Sequence, residues 1–149
     1  MSVRFLVYGL LGWALEIVWT GLGGFLTHRD WGLQSRTYLW MFPIYGSAAF
    51  LLEPVHNAAR GLAWPLRGAL WVLLIFAIEY ATGYALRRLT GRCPWDYSAA
   101  RWSVHGLIRL DYAPAWFVAG FLFEAAHDRL VWLTPWLQAA VLGLPALRP

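Results

Sequence analysis

Four long apolar runs limit what this chain can become. They extend roughly over residues 3–26, 38–58, 66–86 and 113–133. A helix that crosses a bilayer needs about 20 mostly apolar residues, so each run can cross once. The composition agrees: 60% of the residues are hydrophobic and 13% are charged, whereas a soluble domain has about 45–50% and about 25%. Eleven tryptophans suit the aromatic belts that form at membrane–water interfaces. The expected fold is all-α, a polytopic membrane helix bundle of four spans forming a single integral membrane domain over residues 1–149.

The segments between and after the runs refine this expectation. The first run holds Glu16 in its middle and shows no small-residue cleavage signature, so it reads as a retained span and not a signal peptide. Pro43 and Pro54 lie inside the second run and predict a kinked or broken helix. The third run carries Glu79 and stops at Arg87–Arg88. Residues 89–112 are too polar for a span and rich in Trp and Tyr, which predicts an interfacial helix or a re-entrant segment. Residues 132–147 read as an interfacial helix, with a short fifth span as the alternative. No internal repeat and no low-complexity tract is expected.

The net charge is +4 and every basic residue is arginine. These arginines are scattered between apolar runs and not clustered, which speaks against a nucleic-acid partner. The loops after the first and third runs hold Arg29, Arg36, Arg87, Arg88, Arg92, Arg101 and Arg109; the other side holds Arg4, Arg60, Arg67, Arg129 and Arg148. The positive-inside bias then puts the Trp95 loop in the cytoplasm and both termini outside. The arginine-only, Ala/Leu/Gly/Trp-rich composition suggests a GC-rich genome. The expected location is a membrane, the bacterial inner membrane. No P-loop occurs, so no nucleotide is hydrolysed that way. Cys93 is the lone cysteine and forms no disulfide within the chain. Ser, His and acidic residues form no recognisable triad order, and no catalytic residue or cofactor is expected.

The anomaly is acid inside apolar helix. Glu16, Glu79 and Glu124 lie near the middle of their runs, and Glu53 lies deeper than a loop residue should. A charged side chain at mid-bilayer costs on the order of 2.5–3.5 kcal/mol. Such acids either bond between helices or line a pathway for an ion, a proton or a substrate. A second pattern is Glu53-x-x-His56 and Glu124-x-x-His127, with Glu16 and Glu79 on the other two runs. This is the ligand formula of di-iron carboxylate bundles. At about 1.5 Å per residue, Glu16, Glu53, Glu79 and Glu124 lie about 18, 10, 20 and 14 Å deep, which weighs against one shared metal. The metal candidates are thus Glu16, Glu53, His56, Glu79, Glu124 and His127, with His56 and His127 as interfacial polar residues the simpler reading. The block Cys93-Pro94-Trp95-Asp96-Tyr97-Ser98 predicts a turn in which Asp96 caps local backbone. A functional reading has Asp96 and His105 lining a cytoplasmic mouth.

The stretch Glu79-Tyr80-Ala81-Thr82-Gly83, the Cys93–Ser98 block, Gly106-Leu107-Ile108 and Tyr112 through Trp116 resemble the transmembrane protein 229 family. They also resemble related small bacterial membrane proteins labelled ABC-transporter type IV. Gly12-Trp13 with Glu16, and Met41-Phe42-Pro43-Ile44-Tyr45-Gly46, fit the same pattern. The resemblance covers roughly residues 9–124. It implies a multi-span helical membrane protein and points to Glu16, Tyr45, Glu79, Trp95, Asp96, Tyr97 and Glu124. It implies no substrate, and it does not ask for His56 or His127.

The expected function is a transport-type or substrate- or ion-binding membrane component using buried acids, with Glu16, Tyr45, Glu79, Trp95, Asp96, Tyr97, His105 and Glu124 as pathway candidates. Its partners would be the lipid bilayer and either further copies of itself or an ATPase-bearing membrane subunit. The alternatives are a scaffolding membrane protein and a membrane-embedded, metal-dependent enzyme acting on a lipid or quinone.

Overall fold

The computed structural model describes residues 2–29 and 31–143. Five α-helices follow in chain order: α1 (Ser2–His28), α2 (Met41–Gly46), α3 (Ala48–Ala59), α4 (Trp64–Thr90) and α5 (Ala113–Val141). A two-stranded antiparallel hairpin, β1 (Ser103–Val104) with β2 (Ile108–Arg109), and a 3-10 turn, Leu110–Tyr112, stand between α4 and α5. Among the described residues, α1 and α4 are the helices long and apolar enough to cross a membrane.

Three expectations change. The second run is interrupted at Ser47 and not at a proline; both prolines sit inside helix, Pro43 in α2 and Pro54 in α3. Ser47 keeps helical angles, its hydroxyl donates to the Ile44 carbonyl at 2.6 Å, and its amide donates to the Pro43 carbonyl, so the break is one residue wide. Residues 91–112 form no interfacial α-helix. Glycine and proline at Gly91 and Pro94 end helical propagation, and the segment closes on itself as a hairpin. Residues 132–141 are no separate element. They continue α5 through Pro135, and the Thr134 hydroxyl donates to the Leu130 carbonyl at 2.6 Å next to the position where proline lacks a donor. The predicted end of that tail helix, residues 144–147, lies outside the described residues.

The expectation of no repeat is also corrected. Arg4 and Glu16 of α1 stand twelve residues apart, as do Arg67 and Glu79 of α4. The register between them is 63 residues, and it also matches Leu10, Leu11, Ala14, Leu26 and Thr27 with Leu73, Leu74, Ala77, Leu89 and Thr90. At a register of 71 residues, Leu39, Pro43, Ala48, Phe50, Leu51, Glu53 and His56 match Leu110, Pro114, Ala119, Phe121, Leu122, Glu124 and His127. The change from 63 to 71 is an insertion in the second connector, where the hairpin lies. Composition hides the duplication, because most matches are common apolar residues. The matching ion pairs expose it.

The contacts cluster in two compact units. One holds α1, α2, most of α3 and the end of α5; the other holds the last turn of α3, α4, the hairpin and the first part of α5. In the first unit, Phe5 meets Phe42 edge-on at 5.9 Å, and Phe42 meets Trp13 at 5.6 Å. Gly46 is covered by Phe5, and a Cβ there would come within 2.7 Å of the ring. In the second unit, the equivalent pair is reversed. Gly68 stands where Phe5 does and is covered by Phe117, which stands where Gly46 does; a Cβ on Gly68 would come within 2.1 Å of that ring. Each repeat thus fills the same helix crossing with one aromatic ring and one glycine, but from opposite helices. Such small-residue contacts let helices approach closely.

Candidate functional site

Each acid inside an apolar helix has its own partners. In the first repeat the Arg4 guanidinium donates to both Glu53 oxygens, at 2.8 and 2.9 Å. Glu53 is 3% exposed and buried, while Arg4 is half-buried. In the second repeat Arg67 Nε donates to Glu124 Oε1 at 2.7 Å, and buried Trp71 donates its indole N–H to the same oxygen at 2.8 Å. These equivalent pairs are charge-neutral, with both Glu53 oxygens and one Glu124 oxygen accepting hydrogen bonds. A buried acid is tolerable when it is paired and hydrogen-bonded.

The other two acids are held by hydroxyl groups. Glu16 Oε2 accepts from Thr37 Oγ1 at 2.8 Å, and Tyr45 stands beside the same carboxylate. Glu79 Oε1 accepts from Tyr97 Oη at 3.0 Å. Its Oε2 is buried without a hydrogen-bond partner, and the nearby indole N–H of Trp116 approaches without reaching hydrogen-bond geometry. Tyr45 and Trp116 are equivalent positions of the repeat, as Glu16 and Glu79 are. No ion pair involves Glu16 or Glu79 among the described residues.

The segment that supplies Tyr97 is a rigid cap over the C-terminal end of α4. The α4 helix ends at Gly91, whose left-handed φ of 74° lets its amide reach the Arg87 carbonyl. Trp95 donates its indole N–H to the Leu107 carbonyl at 2.9 Å, and the Tyr97 amide donates to the Gly106 carbonyl at 3.0 Å. Gly83 lies beneath both Trp95 and Leu107, where a Cβ would meet them at 3.0 and 2.9 Å. Asp96 is exposed, and its Oδ1 accepts from the amide and hydroxyl of Ser98 at 2.9 and 2.6 Å. Those bonds hold its carboxyl below the usual aspartate range. His105 is exposed with a left-handed φ of 54°; its Nδ1 bonds the Tyr80 hydroxyl at 2.8 Å and its carbonyl accepts from Arg87. Asp96 and His105 shape the hairpin, while Trp95 and Tyr97 fix it to the helix. Burial raises the Cys93 thiol above its ordinary range, which disfavours the nucleophilic thiolate.

A third group lies at the other end of α4. His56 and His127 are 3% and 2% exposed, with ring centroids 4.8 Å apart. His56 Nε2 is 3.3 Å from Asp128 Oδ1, and Asp128 also pairs with Arg60. His56 Nδ1 is 3.7 Å from Glu124 Oε1, buried and without a hydrogen-bond partner. One donor atom each from His56, His127 and Asp128 lies within 4.8 Å of the others. Of the six metal candidates read from the sequence, His56 and His127 join here, and Glu124 stands next to them. Glu16, Glu53 and Glu79 are taken up by the partners described above. Asp128, Arg60 and Trp71 were missed; the sequence signal that could have found Asp128 is its place directly after a histidine that repeats.

The fold and these sites define a duplicated helical protein with two helices able to cross a membrane and with neutralised or hydroxyl-held acids inside apolar helices. A family model described as "Putative ABC-transporter type IV" matches residues 3–144. The chain therefore belongs to that family, whose name is that of a transporter-type membrane component. No solved structure matches the chain.

Proposed function

We propose that this protein is a small transport-type component of the membrane, with α1, the α2–α3 pair, α4 and α5 each crossing once. The reading rests on one observation: each repeat holds one acid locked by arginine and one held only by neutral donors. Glu53 and Glu124 are locked by Arg4 and Arg67, and they are architectural. Glu16 and Glu79 have hydroxyl partners, and Glu79 keeps an unpartnered oxygen. A carboxylate that carries no resident cation is free to exchange a proton or a small cation. An acid in a membrane helix is by default a pathway group. Duplicated halves and an interrupted helix are also recurrent features of membrane transporters. The family name supports the transport class. The E-Y-x-T-G and W-D-Y-S blocks support kinship with the transmembrane protein 229 proteins. The arginine bias favours the cytoplasmic side for the Trp95 cap.

The test is flux. The full chain is reconstituted into vesicles, a potassium diffusion potential is imposed, and internal pH is followed with a trapped dye. The expected result is proton uptake above protein-free vesicles, reduced at least about tenfold by Glu79→Gln and by Glu16→Gln. No uptake above protein-free vesicles, or uptake unchanged in both variants, overturns the reading in favour of a purely scaffolding role.

A further inference from the structure

We propose that His56, His127 and Asp128 form a binding site for a borderline divalent transition-metal ion such as Zn2+, separate from the Glu79 site and independent of the transport reading. His56 and His127 are equivalent residues of the two repeats, and the fold brings their buried rings to 4.8 Å. Asp128 adds a carboxylate at 3.3 Å from His56 Nε2, and the three donor atoms lie within 4.8 Å of one another. Two imidazoles and one carboxylate, with a fourth position left for water, are a zinc donor set; imidazole does not suit Mg2+ or Ca2+. Donor atoms around tetrahedral Zn2+ stand roughly 3.3–3.5 Å apart, so the widest donor separation shortens by up to about 1.5 Å on binding.

The second observation is His56 Nδ1, which is buried without a hydrogen-bond partner and faces Glu124 Oε1 at 3.7 Å. When Nε2 takes the metal, Nδ1 carries the ring hydrogen and donates it toward that carboxylate. This is the carboxylate–histidine–metal relay that fixes a ligand's tautomer and orientation. Glu124 is itself held by Arg67 and Trp71 at 2.7 and 2.8 Å. Metal binding thus gives the orphaned nitrogen a use.

Arg60 opposes the site, because it pairs with Asp128 and must leave when the metal arrives. The Arg60 and Asp128 side chains are 52% and 50% exposed, so that pair is a surface pair and Arg60 can turn to solvent at little cost. The exposed carboxylate also offers an entry path to the buried histidines.

The experiment uses the full chain in detergent, stripped with chelator and then titrated with Zn2+ against a chromophoric competitor, with Co2+ absorption as the geometric probe. The wild type should bind roughly one Zn2+ per chain and give a tetrahedral Co2+ spectrum. Asp128→Asn should weaken Zn2+ at least about tenfold, and Arg60→Gln should tighten it, by removing the competitor. Both changes are on the surface, and helix content should stay unchanged. His56→Gln and His127→Gln should abolish the Co2+ spectrum. Uptake equal to that of the two histidine variants overturns the site. Wild-type affinity in both Asp128→Asn and Arg60→Gln does so too, since zinc would then sit elsewhere.

Discussion

Two acids packed along α4 are of opposite kinds. Near its N-terminal end, Glu124 receives an arginine, an indole N–H and a histidine at close range. Toward its C-terminal end, Glu79 receives one tyrosine hydroxyl from the hairpin cap, and its second oxygen has no hydrogen bond. The first arrangement neutralises charge within the helices; the second leaves the acid dependent on the protein's surroundings. The same contrast occurs in the first repeat between Glu53 and Glu16. The duplicated chain thus shows both arrangements twice, an acid paired with arginine and an acid held by hydroxyl groups.

The largest effect that would break this contrast comes from the arginines. Arg67→Met strands Glu124 and should cost about 3–5 kcal/mol, because an uncompensated buried charge remains. Arg67→Met with Glu124→Met should recover most of that loss. Denaturant unfolding in detergent measures both, and a single variant as stable as wild type would show that Glu124 is not locked.

The reversed glycine–aromatic pairs sharpen the repeat. Gly68→Phe alone should be destabilising by about 1–3 kcal/mol through overpacking against Phe117. Gly68→Phe with Phe117→Gly reproduces the Phe5–Gly46 arrangement of the first unit. It should be more stable than Gly68→Phe, and thermal unfolding that ranks the double variant lower would argue against equivalent crossings.

Tyr97→Phe removes the hydroxyl that donates to Glu79. The loss in stability should be about 0.5–1.5 kcal/mol, smaller than that at Arg67. An equal loss would place Glu79 among the architectural acids.

The smallest effect lies in the cap. Ser98 holds the Asp96 carboxyl below its ordinary range. A lowered folded value means that the contribution is complete above the ordinary aspartate range and is lost as pH falls through the folded value. Asp96→Asn should therefore narrow its stability gap from wild type in acid. A gap that is constant with pH would show that the turn does not depend on the charge. Cap melting followed by Trp fluorescence reads this out.

The four apolar runs, the acids within them and the turn at Asp96 were legible because each is local: periodicity, burial preference and turn chemistry act over a few residues. The helix through Pro135 and the hairpin at 103–109 were not. Proline marks a helix end by default, and here the continuation of α5 is a matter of context; two-residue strands are too short to leave a pattern. The duplication was present in the sequence, but half of its matches are leucine or alanine, which match by chance in any apolar chain.

By itself, then, the sequence determined a helical chain of membrane composition with acids that need partners. The partners were decided by tertiary structure alone: Arg4 reaches Glu53 across 49 residues, Arg67 reaches Glu124 across 57, and Tyr97 reaches Glu79 across 18. Hydropathy fixes which segments leave water. The rotation of each helix about its axis, which decides whether an acid meets arginine, hydroxyl or histidine, is set by packing against its neighbours.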